Sequence, residues 1–311
     1  TTLARMATVH DWVEGARVRT LPAAAAPVIV GTAAAWHLGA REPLRALLAL
    51  VVALALQVGV NYANDYSDGI RGTDDDRQGP ARLTGGGLAR PRTVLMAALG
   101  CFAAAGAAGV ALVALSGAWP LLVVGCAAVA AAWFYTGGPR PYAYTGVGLS
   151  EAMVFVFFGL VACVGTAWTQ AASAPWWLWT SASALGLLSI ALLMANNIRD
   201  IPTDRATGKR TLAVRLGDPA SRWVYAVCAV APVPAMGALS TGLGLAWQST
   251  AALVAAGYRR GYDGAHLQPT LHTEDHDHRY TYTYALDRLI AGVLMPDSDD
   301  DNRNTCLLYT S

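Results

Sequence analysis

The chain has 311 residues, 54% of them apolar and only 14% charged, with a formal net charge of +1 and a mean hydropathy of +0.37. Soluble domains carry about a quarter charged residues, so this balance excludes an ordinary soluble fold. No nucleic-acid partner is expected. Residues 1–20 read as a short N-terminal segment outside the membrane, and because the chain opens on Thr1 it is expected to begin inside a longer reading frame. Apolar runs follow near 21–40, 44–66, 93–115, 118–136, 149–168, 176–198, 223–239 and 242–258. A hydrocarbon core of about 30 Å needs about 20 such residues per helix. The expected fold is therefore all-α: a polytopic transmembrane helix bundle with about eight recognisable spans over 21–257, embedded in a lipid bilayer. Cys101, Cys126, Cys163 and Cys228 stand singly inside these runs and read as small packing residues.

Positive charge is distributed unevenly between the two sides. Up to residue 257, Arg5, Arg17, Arg19, Arg71, Arg77, Arg82, Arg90, Arg92, Arg140, Arg199, Arg205, Lys209, Arg210, Arg215 and Arg222 fall in the N-terminal segment and the even-numbered loops, against Arg41 and Arg45 on the other side. Fifteen against two predicts a cytoplasmic N-terminus and cytoplasmic charged loops. Trp119, Trp168, Trp176, Trp177 and Trp179 then fall at the outer interface, where amphipathic indole rings are favoured.

The second run ends in 61–74 (NYANDYSDGIRGTD), where Asn61, Asp65 and Asp68 are spaced i, i+4, i+7 and share a helix face. The sixth ends in Asn196, Asn197, Arg199, Asp200 and Asp204, with Asn196, Asp200 and Asp204 spaced i, i+4, i+8. Asn61 and Asp65 precede Asn196 and Asp200 by 135 residues, a weak internal repeat that would bring two carboxylate faces together.

Ionisable groups at a membrane helix are costly and mark function by default. Four carboxylates at the negative C-terminal poles of two helices would repel one another without a cation. Mg²⁺ suits the set, because it takes oxygen ligands and commonly bridges carboxylates to substrate phosphates. Asp65, Asp68, Asp200 and Asp204 are its expected ligands. Arg71, Arg77, Arg199, Arg205, Lys209 and Arg210 form a basic rim suited to the remaining phosphate oxygens. Asn64 and Asn197 either brace a helix end or touch substrate. Asp75 and Asp76 read as solvated. Intramembrane carboxylates and repeats also occur in secondary transporters, but these motifs run into basic loops rather than lying at the bilayer midplane, which favours an enzyme.

The Asn61 to Asp68 segment and the Asp200 and Asp204 pair resemble the two aspartate-rich motifs of the UbiA-type membrane prenyltransferase superfamily. Within it, residues 16–22 (ARVRTLP), 61–74, 135–139 (YTGGP) with 155–159 (FVFFG), and 196–217 are similar to the 1,4-dihydroxy-2-naphthoate polyprenyltransferases of menaquinone biosynthesis. The resemblance spans roughly residues 10–257. It implies a nine-helix bundle around a central cavity that binds Mg²⁺ and a polyprenyl diphosphate. The prenyl group is joined to 1,4-dihydroxy-2-naphthoate with loss of diphosphate and carbon dioxide, giving demethylmenaquinone, at the cytoplasmic face of a bacterial plasma membrane. Hydroxybenzoate, homogentisate or a porphyrin are the alternative acceptors. Tyr135, Phe155 and Phe158 either face a developing allylic cation or pack between helices. Two departures stand out. The 146–151 segment (GVGLSE) is two residues longer than the family's run, which leaves the role of Glu151 open. From residue 258 the hydropathy pattern ends in a polar, His- and Tyr-rich tail over 258–311, with no ninth span and the expectation of a frameshifted or artefactual stretch that contributes nothing to catalysis.

Overall fold

The computed structural model describes residues 7–72 and 82–235. Among these, every regular element is a helix. A first short helix, α1 (Val9–Gly15), is capped by Thr8, whose hydroxyl accepts from the Asp11 amide while the Asp11 carboxylate accepts from the Thr8 amide. A 3₁₀ turn at Val18–Thr20 leads into α2 (Leu21–His37). The long helices α3 (Pro43–Ile70) and α4 (Pro91–Ser116) follow, then the shorter α5 (Leu121–Thr136), α6 (Leu149–Ala171) and α7 (Trp176–Arg199). The chain turns through α8 (Ile201–Ala206) and α9 (Leu212–Leu216) into α10 (Asp218–Val230). Proline occupies the first turn of α2, α3, α4, α8 and α10, where its missing N–H costs nothing.

The spans Val9–His37, Pro43–Ile70, Pro91–Ser116, Leu149–Ala171 and Trp176–Arg199 are long and apolar enough to cross a membrane, and Leu121–Thr136 is a shorter apolar helix. Large apolar side chains point outward along them, including Ile29, Leu47, Met96, Val123 and Trp179. Such a surface is what lipid covers in a multi-pass membrane protein. The interior is built from small side chains instead: Ala34, Cys163, Ala167 and Ala182 around Leu178, and Ala63 and Ala98 around Tyr62, Leu83, Val94 and Phe102. Close helix approach through small residues is the usual membrane solution, since burying apolar area gains little in lipid. It is tightest where α2 meets α6, a Cβ on Gly31 falling 2.3 Å from the Cys163 carbonyl, and close again where α6 meets α7. A Cβ on Gly159 would lie 2.6 Å from Gly186 Cα and 2.7 Å from the Ala182 carbonyl, so the backbones touch there. At this crossing α6 widens into π geometry over Phe155–Val161.

The first six predicted spans coincide with α2 to α7. The seventh differs: α10 begins at Asp218, five residues ahead of the expected 223, because Gly217 takes φ +77° and Asp218 pairs with Arg222 one turn on. The charged turn is thus helical although its hydropathy is low. Within the N-terminal segment α1 lies on α3 through Trp12 and Tyr62, whose rings meet edge to face at 5.5 Å. The expected span at 242–258 and the tail at 258–311 lie outside the described residues.

Candidate active site at the converging helix ends

Antiparallel α2 to α7 bring the C-terminal ends of α3, α5 and α7 to one end of the bundle. Arg71 at the end of α3 donates to the carbonyls of Thr136 and Gly138 at the end of α5, and Lys209 beyond α7 reaches Asp68 on α3. At the opposite end Arg45 donates to the Thr169 carbonyl and the His37 and Trp177 rings meet at 5.6 Å.

The four predicted carboxylates are not equivalent. Asp68 and Asp204, both nearly buried, flank one ammonium: Lys209 Nζ lies 3.8 Å from Asp68 Oδ2 and 3.7 Å from Asp204 Oδ1. The Lys209 amide donates to the Asp204 carbonyl at 2.8 Å, and Gly208, at φ +76°, makes the turn that folds the lysine back over its own helix. Asp200 caps the end of α7 at the bundle edge, where Arg199 binds both its oxygens at 2.7 and 3.0 Å. Asp65 has a different setting. It is fully buried, and its two oxygens accept from the backbone amides of Leu83 (3.0 Å) and Thr84 (2.8 Å), tying the segment after residue 81 to α3. The expected repeat register of 135 residues pairs Asp65 with Asp200, whereas the two acids that converge, Asp68 and Asp204, stand 136 apart.

The asparagines separate likewise. Asn61 donates to the Ala16 carbonyl and the Thr20 hydroxyl, so it braces the N-terminal segment. Asn64 accepts a 2.6 Å hydrogen bond from Thr136, joining α3 to α5. Asn196 donates to the Leu192 carbonyl within its own helix, and Asn197 is half-buried beside it. Of the basic rim, Lys209 sits at the carboxylates and Arg71 caps carbonyls of α3 and α5; Arg205 and Arg210 are exposed at the same end, and Arg77 lies outside the described residues.

Tyr135 packs edge to face with Tyr142 at 5.5 Å. Tyr142 donates to the Ala131 carbonyl, and burial pushes its phenol up to about 12, so it stays neutral. Sequence reasoning passed over Tyr144. Its hydroxyl donates to Asp68 Oδ1 at 2.6 Å, and its ring centroid lies 5.7 Å from the Arg71 guanidinium and 5.3 Å from Lys209 Nζ. Three tyrosines within ten residues of a Gly-Gly-Pro turn were the available signal. Gly146 explains how the loop closes over the site. A Cβ there would lie 2.7 Å from the Arg210 carbonyl, and Arg215 donates to the Gly146 carbonyl at 3.3 Å. Glu151, left open by sequence, is buried in the first turn of α6, and its Oε1 has no hydrogen-bond partner among the described residues.

Asp68 and Asp204 fit a hard divalent cation: two carboxylates already hold one positive group between them, and Asp200 opens the next turn of the same helical stretch. Fold and site together describe a multi-pass membrane protein with two nearly buried carboxylates and one lysine gathered at one end of its bundle.

The chain belongs to the UbiA prenyltransferase family, whose model matches residues 24–268. It is 57% identical to the 1,4-dihydroxy-2-naphthoate octaprenyltransferase of Mycobacterium tuberculosis over 71% of this chain and 74% of that protein. The Escherichia coli enzyme of the same name is 41% identical, over 69% of this chain and 71% of that one. Among solved structures, a UbiA homolog from Archaeoglobus fulgidus bound to GPP and Mg²⁺ superposes with a TM-score of 0.61, covering 90% of this chain and 96% of that chain at 13% identity, which is a likeness of fold.

Proposed function

We propose that this protein transfers a polyprenyl group from a polyprenyl diphosphate to 1,4-dihydroxy-2-naphthoate at the cytoplasmic face of the membrane, with Mg²⁺ as cofactor. The chemistry of the site rests on a single observation, the placing of Asp68 and Asp204 around one ammonium at 3.7 to 3.8 Å. The choice of acceptor rests on the relatives that carry that substrate in their names.

In this reading Asp68 and Asp204, with Asp200, hold the ion, and Asp65 and Asn61 keep the frame that positions them. Bound Mg²⁺ would supply Lewis acidity, drawing charge onto the departing diphosphate. Lys209 turns from the carboxylates to the phosphate oxygens as they arrive, and Arg71, Arg205, Arg210 and Arg77 complete the anion-binding rim, while Arg199 serves Asp200. The carbon–oxygen bond of the prenyl diphosphate breaks, the acceptor's ring carbon takes the allylic carbon, and loss of its carboxylate as carbon dioxide restores aromaticity. Apolar helix walls keep water from the allylic cation, and Tyr135 or Phe158 supplies an aromatic face toward it, while the Phe155 ring packs on Gly186 between α6 and α7. The fifteen-to-two bias of Lys and Arg supports the cytoplasmic orientation.

The test is to incubate membranes bearing the protein with a labelled polyprenyl diphosphate and each of 1,4-dihydroxy-2-naphthoate, hydroxybenzoate and homogentisate, with Mg²⁺ or with a chelator. A labelled prenylated naphthoquinol formed only with the first acceptor and only with Mg²⁺ is expected. Labelled product from another acceptor alone would overturn the substrate, and product formed equally in chelator would overturn the cofactor.

A further inference from the structure

The loop between α5 and α6 carries no acid, and its contribution to the site is aromatic. Tyr144 touches three of the charged groups there. Its hydroxyl takes Asp68 Oδ1 at 2.6 Å, the length of a charge-assisted O–H···O⁻ bond. Asp68 Oδ2 is the oxygen nearest Lys209. The phenol thus divides the carboxylate, engaging one oxygen and aiming the other at the space shared with Asp204. The Tyr144 ring lies within cation–π range of both Lys209 and Arg71. The loop that carries it is held at both ends, by Arg71 on the Gly138 carbonyl and by Arg215 on the Gly146 carbonyl.

We propose that Tyr144 is a positioning residue of this site, fixing the rotation of Asp68 for the divalent ion through its hydroxyl and holding Lys209 and Arg71 over its ring for the diphosphate. The proposal rests on the reading of Asp68 and Asp204 as the ion's ligands. Two effects of the phenol oppose each other. Its hydrogen bond withdraws electron density from the carboxylate, which weakens a metal bond, but it also fixes the carboxylate's orientation. Orientation wins for a small ion that demands near-octahedral geometry, and removing a partner that orients a metal ligand typically costs about 10-fold to 100-fold in affinity. The ring acts separately from the hydroxyl, on the cations rather than the acid, so the two contributions come apart in Tyr144→Phe and Tyr144→Leu.

The experiment titrates the purified full chain in detergent with Mn²⁺, read by electron paramagnetic resonance, alone and with inorganic diphosphate. Tyr144→Phe is expected to bind Mn²⁺ about tenfold more weakly than wild type while keeping its response to diphosphate. Tyr144→Leu is expected to weaken diphosphate binding severalfold as well. Tyr142→Phe, which loses a loop phenol that donates to the Ala131 carbonyl instead, is expected to match wild type. Loss of Mn²⁺ binding in Asp68→Asn with wild-type affinity in Tyr144→Phe overturns the role of Tyr144 alone. An equal loss in Tyr142→Phe and Tyr144→Phe overturns it too, because general loosening of the loop would then account for both. Undiminished Mn²⁺ binding in Asp68→Asn overturns the ion site itself and this proposal with it.

Discussion

The ends of α3 and α7 carry similar letters and are built differently. α3 runs unbroken through its motif to Ile70, with Asp65 locked against the amides of Leu83 and Thr84 and Asn61 locked against the N-terminal segment. α7 stops at Arg199, pivots on Asp200 and restarts as α8, so that Asp204 and Lys209 arrive on a separate short turn. One end is a buried post and the other a folded-over arm. The arm is seated on the bundle through Ile201, which packs with Met194, Ile198 and Ala213, so both halves of the site are held by buried contacts. A repeat in sequence therefore does not carry a repeat of roles: the residues that meet are Asp68 on the post and Asp204 on the arm.

The comparison breaks most severely at the point of convergence. Asp68→Asn or Asp204→Asn is expected to cut prenyl transfer by about 10²-fold to 10³-fold, the usual cost of losing one electrostatic stabiliser in an active site, with little change in melting temperature. Asp65→Asn should act in the opposite way. One amide would face a side-chain NH₂ instead of an acceptor, costing about 1–3 kcal/mol of stability, and activity should fall only with the folded fraction; thermal unfolding in detergent beside Mn²⁺ affinity separates the two. A fall in Mn²⁺ affinity matching that of Asp68→Asn would return Asp65 to the ion.

On the arm, Gly208→Ala strains a backbone at φ +76° and loosens the return of Lys209, so weaker diphosphate binding is expected with an ion affinity near wild type. The smallest effect belongs to Arg199. Its side chain is exposed and its pair with the half-buried Asp200 lies near the surface, where such pairs contribute about 1 kcal/mol or less, so Arg199→Gln should keep most activity; a loss as large as that of Asp204→Asn would make Arg199 part of the phosphate rim.

The spans were legible because lipid-facing length is written in local composition, and α2 to α7 follow the apolar runs. Asp68 and Asp204 stand out in the sequence through helical spacing next to basic residues, although the helix carrying Asn196 ends at Arg199 and Asp204 stands on the next one. The role of Asp65 was not legible, since its partners Leu83 and Thr84 are 18 and 19 residues away and bond through backbone amides, which any residue supplies. Tyr144 was hidden for a related reason. It reaches Asp68 from a loop 76 residues on, where no helical period constrains spacing. The early start of α10 was masked by Asp218 and Arg222, whose charges depress hydropathy while their mutual pairing supports the helix.

The most direct test of a single ion site shared by post and arm is prenyl transfer over a series of Mg²⁺ concentrations for wild type, Asp68→Asn, Asp204→Asn and the double variant. Ligands of one ion act as a unit, so their losses do not add. The expected result is a double variant little slower than either single, with high Mg²⁺ partly restoring both singles. Near-normal, magnesium-independent transfer in the singles, or a double variant whose loss is the product of the two, would contradict the account.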